Sequence, residues 1–122
     1  MVSCPLCKAV KNESAIYEDK WIKIVETKRL KGHRRRIMVI TKKHIDVVPS
    51  WLDKHMLDKL EETGRKIFNY TYKFVIMSPI YGTIPNHAHY VATDLEEGSE
   101  DHKQILATPW LRVVQVKGWK NG

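Results

Sequence analysis

Pro85-Asn86-His87-Ala88-His89-Tyr90-Val91 sets two histidines two residues apart among small and apolar neighbours, just after the turn-like Ser78-Pro79-Ile80-Tyr81-Gly82. Alternate residues of a strand share a face, so the spacing predicts His87 and His89 pointing together into one pocket. Paired imidazoles so placed bind metal, attack phosphorus or hold an anion.

Working outward, Lys73-Phe74-Val75-Ile76-Met77 reads as the strand before this one. The stretch from Ser50 to about Tyr70 is the clearest helix. Ser50 is placed to cap it, with Asp53 completing a weak capping box. Leu52, Met56, Leu57, Leu60, Ile67 and Phe68 recur at helical spacing and form its core stripe. His55 falls off that stripe and reads as a solvated surface residue, while Gly64 permits close packing. Earlier still, Ile37-Met38-Val39-Ile40 is a continuous apolar run suited to a central strand. Ala15 to Glu18 and Trp21 to Glu26 read as a hairpin turning at Asp19-Lys20, with Ile22 and Ile24 on one face and Trp21 and Val25 on the other. Beyond the paired histidines, Asp94 to Asp101 is an acidic loop and Trp110 to Lys117 a weakly alternating late strand. Several antiparallel strands with one main amphipathic helix make an α+β domain.

The 122 residues suit one domain, 1–122. No apolar run approaches the roughly 18 residues of a membrane span, and Met1 to Pro5 lacks the pattern of a secretory signal, so a cytoplasmic protein is expected. Lys and Arg number 21 against 14 Asp and Glu, a formal charge of +7 that favours anionic partners such as nucleotides or nucleic acid. The basic residues gather between Lys28 and Lys43.

Cys4 and Cys7, in Cys4-Pro5-Leu6-Cys7, are the two cysteines of the chain. In a reducing compartment the spacing means a metal half-site or a redox pair. No strand precedes it, as a thioredoxin-like pair requires, so metal is favoured. Cys4, Cys7, His44 and His87 are the candidate ligands. Two thiolates and two neutral imidazoles give zinc a closed tetrahedral site that stabilises a fold rather than doing chemistry. Such a site ties the N-terminus to a loop after one strand and to a later strand.

With these segments in hand, the chain resembles the histidine-triad superfamily, including its galactose-1-phosphate uridylyltransferase branch. The resemblance runs through Cys4-Pro5-Leu6-Cys7, Glu13 to Asp19, Gly32-His33, Ile37 to Ile45, the helix, and Gly82 to His89. It covers residues 4–94 and leaves 95–122 as an unplaced C-terminal tail. The resemblance implies a histidine-triad-like antiparallel sheet, one main helix and an N-terminal zinc-bound segment. It further implies a nucleotide hydrolase or nucleotidyl transferase working through a nucleotidyl-histidine intermediate. By the same resemblance Cys4, Cys7, His44 and His87 hold the metal, and His89 is the nucleophile that attacks the α-phosphorus.

The family motif has three histidines where this chain has two. With His87 first, His89 is the nucleophile and Val91 stands in the third place. With Pro85 first, His87 becomes the nucleophile and His89 the third member. The first register is preferred because it also accounts for Cys4, Cys7 and His44. Val91 cannot hydrogen-bond, so charge developing on phosphate needs other donors: Ser78, Thr83, Asn86, main-chain amides or an arginine of the basic loop. A catalytically degenerate, zinc-stabilised binding module for nucleotide or nucleic acid is the alternative. The resemblance also gives Glu26 to the ribose hydroxyls and a homodimer as the expected assembly. Arg34, Arg35 and Arg36 present guanidinium forks suited to phosphate, which brings a polynucleotide along that loop into view.

Overall fold

The sheet begins with a turn that Asp19 builds. One of its carboxylate oxygens accepts the main-chain N–H of Trp21 at 2.8 Å and of Ile22 at 3.0 Å, the side-chain-to-backbone turn that aspartate favours. The other accepts the Tyr17 hydroxyl at 2.7 Å and His55 Nε2 at 2.6 Å. Burial works to raise the Asp19 carboxyl, but these four bonds outweigh it and hold it down to about 2. His55 is therefore half-buried against the turn rather than solvated. Its place off the helix stripe was legible; that a turn over thirty residues earlier would meet it was not.

In the computed structural model, residues 5–27, 35–45, 47–69, 73–77, 87–94 and 111–116 are described. They form α1 (Pro5–Asn12), β1 (Ala15–Glu18), β2 (Ile22–Glu26), β3 (Arg36–Thr41), α2 (Ser50–Ile67), β4 (Lys73–Met77), β5 (His89–Asp94) and β6 (Arg112–Gln115). The six strands make one sheet in the order β1-β2-β3-β5-β4-β6, and each neighbouring pair is antiparallel. The α+β expectation holds at that level. The late strand expected near Trp110 is β6, which gives part of the unplaced tail a position at the sheet edge. Among the described residues no helix is long and apolar enough to cross a membrane.

Strand alternation divides the buried side chains between two faces. Ile22, Ile24, Ile37, Val39, Phe74, Ile76 and Ala92 join Leu52, Met56 and Leu60 of α2, and Phe68 just past its end, in the main core. Val25 and Ile40 point the other way and meet Leu6 of α1, with Ala9, Val10 and Met38 around them. An isolated eight-residue helix is marginal in water, since about 12–15 residues are needed even for good helix formers. The packing of Leu6, Ala9 and Val10 therefore stabilises α1, and Lys23 Nζ donates to the Val10 carbonyl at 2.8 Å, satisfying one of its terminal acceptors. This short helix is absent from the sequence reading, although Pro5 at the first helical position and the Leu6, Ala9, Val10 spacing are its signals.

Two further expectations are corrected. Pro49, not Ser50, stands at the N-cap of α2; its carbonyl accepts the N–H groups of Leu52 and Asp53, each at 3.0 Å, and no side chain caps the helix. Proline cannot donate and its extended conformation suits the capping position, which shifts Ser50 into the first turn. Asp53 turns instead to the Tyr90 hydroxyl, which donates to it; burial and this bond push the Tyr90 phenol up to about 12. Secondly, β5 starts at His89, so His87 stands just before the strand rather than on it.

Gly64 is buried on α2 beneath the Phe74 ring, and a Cβ there would lie 2.5 Å from Phe74 Cζ. Alanine has a helix propensity about 1 kcal/mol better than glycine, but overpacking of this kind costs about 1–3 kcal/mol. Gly64→Ala should therefore be net destabilising, with a lower midpoint in urea and an unchanged slope; a raised midpoint would show that Phe74 gives way freely.

Candidate metal centre

Two main-chain bonds bring the centre together. The Ala88 N–H donates to the Ile45 carbonyl at 2.6 Å, and the Thr41 N–H donates to the Ala88 carbonyl at 3.3 Å. They clamp the segment entering β5 onto the turn leaving β3. Thr41 Oγ1 tightens that turn by donating to the Lys43 carbonyl at 2.9 Å. His44 and His87 are thereby set with ring centroids 5.0 Å apart, and α1 delivers Cys7 between them. Cys7 Sγ lies 3.2 Å from His44 Nδ1 and 3.5 Å from His87 Nδ1. The ligand atoms of all three lie within 4.8 Å of one another. A tetrahedral ion with bonds of about 2.3 Å to sulfur and 2.0–2.1 Å to nitrogen separates those atoms by roughly 3.5 Å, so these three side chains could hold a metal ion.

The protonation pattern fits the same use. His87 is buried, and its Nε2 lies 2.7 Å from the Thr41 carbonyl oxygen. A carbonyl only accepts, so Nε2 carries the proton and Nδ1 turns its lone pair toward Cys7. Metal-bound histidines are oriented in this way by a bond from the other ring nitrogen. Burial lowers the His87 pKa, with the nearby His44 and His89 rings adding to it against the Thr41 bond; the neutral form is the one that ligates. His44 is exposed. Cys4 lies outside the described residues.

His89 is arranged in the opposite sense. Its Nδ1 donates to the His87 carbonyl at 2.8 Å, which leaves the lone pair on Nε2. The ring is half-buried. Burial lowers its pKa and the Arg36 charge lowers it further, against the bond to His87. Val91, two residues on, is 3% exposed. It is paired with Met38 on β3 and Met77 on β4.

Glu26 is not brought to His89. It lies opposite Ile37, on the side of the sheet that faces α2, whereas His89 lies opposite Ile40 on the α1 side. Its carboxylate accepts from Arg35 Nε at 3.0 Å and Nη2 at 2.7 Å, a bidentate exposed pair. Arg34, Ser78, Thr83, Pro85 and Asn86 lie outside the described residues. Sequence reasoning missed the Thr41 carbonyl altogether, because a main-chain acceptor leaves no trace in residue type.

The chain matches no family model, and no curated protein is similar to it.

Addition of Co²⁺ as a probe should produce sulfur-to-metal charge-transfer absorption, release protons and raise the melting temperature. Cys7→Ser should abolish the absorption, whereas His89→Ala should keep it. Absorption that survives loss of Cys7 would place the metal elsewhere.

Proposed function

We propose that the protein is a nucleotide hydrolase or nucleotidyl transferase of the histidine-triad kind, with His89 as its nucleophile and structural zinc on Cys4, Cys7, His44 and His87. The single observation that carries this reading is the bond from His89 Nδ1 to the His87 carbonyl. It selects the tautomer whose Nε2 lone pair is available for attack, in a ring kept neutral by its burial. The ordered resemblance of residues 4–94 to that superfamily supports the same assignment. So does the Cys7, His44 and His87 cluster, since it gives His87 to metal and favours the register in which His89 attacks.

Zinc, when bound, supplies structural closure: it joins the N-terminal helix to the turn after β3 and to the entry of β5. The reacting groups belong to the chain. The Nε2 lone pair of His89 forms a bond to the α-phosphorus while the bond to the leaving oxygen breaks, and the leaving group departs with that electron pair. A water or alcohol oxygen then forms a new bond to phosphorus as the phosphorus–nitrogen bond breaks. That pair returns to Nε2, and the proton of the attacking hydroxyl passes to solvent. Throughout, the His87 carbonyl accepts from Nδ1 and stabilises the positive charge that the phosphorylated imidazole carries.

The buried, apolar setting of Val91 favours a second reading, in which the same pocket binds a nucleotide or nucleic acid without turning it over.

Rapid quenching after mixing with nucleoside triphosphates and dinucleoside polyphosphates, followed by mass spectrometry, should find a nucleotidyl adduct on His89, absent from His89→Ala. Full turnover by His89→Ala would exclude the assignment, and an adduct on His87 would select the other register. Saturable binding with neither adduct nor turnover is the outcome of the second reading.

A further inference from the structure

Of the described Trp, Tyr and Phe side chains, only Trp21, 43% exposed, and Trp51, 55% exposed, are open to solvent, and the two are in contact. Their ring centroids lie 5.5 Å apart at an interplanar angle of 77°, an edge-to-face pair. His55 makes a second edge-to-face contact with Trp21, at 5.5 Å and 84°. Single exposed apolar side chains are ordinary on a protein surface, but an exposed pair held in contact calls for a reason. This pair is also anchored. Asp19 accepts both the Trp21 N–H and His55 Nε2, and the Lys42 N–H donates to the Trp21 carbonyl at 2.9 Å. Trp51 stands in the first turn of α2, one turn before His55. Little conformational freedom is therefore left to lose when a ligand lies against these rings. An edge-to-face contact covers at most one face of each ring, so the exposed indole surface of Trp51 suits a flat ligand.

Charge decides what kind of flat ligand. Lys20 Nζ stands 5.9 Å from the centroid of the Trp21 ring, within the roughly 6 Å over which a cation and an aromatic face attract. The two carboxylates of the same turn are matched: Asp19 takes four hydrogen bonds, and Glu18 pairs with Lys42 at 2.7 Å. A positive charge thus sits beside the rings, on a chain whose formal charge is +7. We propose that Trp21 and Trp51 form a stacking platform for the bases of single-stranded nucleic acid, with Lys20 meeting the phosphates beside them. A single strand offers a flat π-face and a phosphate at every nucleotide, which is the pairing of features that this surface complements. In a duplex those base faces are hidden by their neighbours. The platform lies on the α2 side of the sheet, whereas His89 lies opposite Ile40 on the α1 side. It goes beyond the reading of His89 as nucleophile and does not depend on it.

Fluorescence anisotropy with end-labelled oligo-dA and oligo-rA of roughly 12 nucleotides tests this. The unmodified chain should bind both single strands, and a duplex of the same length at least about tenfold more weakly. Trp51→Ala should weaken single-strand binding about 10- to 100-fold, the worth of one base stack, while Trp51→Phe keeps most of it. Lys20→Gln should lower the log–log salt slope by about 0.7, one phosphate contact on a single strand. No single-strand binding, equal binding of the duplex, or unchanged binding in both Trp51→Ala and Trp21→Ala overturns the platform. An adduct on His89 without strand binding overturns the platform and leaves the nucleophile; strand binding that depends on Trp51, without any adduct, does the reverse. Should circular dichroism show the alanine variants unfolded, the indole Nε1–H resonances of Trp21 and Trp51 in the unmodified chain decide. Both should shift on adding the oligonucleotide, and signals indifferent to it overturn the inference.

Discussion

The Thr41 carbonyl, accepting the Nε2 proton of His87, is the contact on which the centre turns. Thr41 ends β3, and His87 precedes β5, so one bond joins the exit of a central strand to the entry of its neighbour. The reciprocal main-chain bonds of Ala88 to Ile45 and Thr41 hold the same two segments in register. Losing a partner from a buried hydrogen bond costs about 1–3 kcal/mol, enough to matter in a domain of this size. The larger consequence is directional. With Nε2 committed to Thr41, Nδ1 has one place to point, and α1 brings Cys7 to that place.

Two histidines of identical type thus acquire opposite tautomers from two carbonyls. His87 gives Nε2–H to Thr41 and keeps Nδ1 for metal; His89 gives Nδ1–H to the His87 carbonyl and keeps Nε2. If His89 is the nucleophile we propose, metal closure and its orientation are linked, because the carbonyl that orients His89 belongs to the residue the metal would fix. On our reading a loosened metal centre misdirects the nucleophile without touching it. The Val91 position shows the opposite constraint. Packed between Met38 and Met77, it was settled by the core of the sheet.

Much of this was legible in the residues. The alternation of Ile22, Ile24 and Val25, the apolar run from Ile37 to Ile40 and the stripe from Leu52 to Phe68 are period patterns, which sequence carries directly. Cys7, His44 and His87 were legible as ligand types, though not as neighbours: their convergence depends on the Ala88 clamp and on α1, and neither has a residue signature of its own. The shared strand face expected for His87 and His89 failed because strand ends are set by which main-chain groups find partners, not by side-chain spacing. Glu26 failed to join His89 through register alone, since opposed pairing with Ile37 assigns it to the α2 side. His55 and Asp53 were misread for one reason: each found a polar partner distant in sequence, at Asp19 and Tyr90.

The central claim is that His87 and His89 carry their protons on different nitrogens. Long-range proton–nitrogen correlation spectra of the imidazole rings at neutral pH report this directly. The account predicts His87 protonated at Nε2, with Nδ1 bare or metal-bound, and His89 protonated at Nδ1 with Nε2 bare. The same tautomer at both rings, or the reverse assignment, would contradict it.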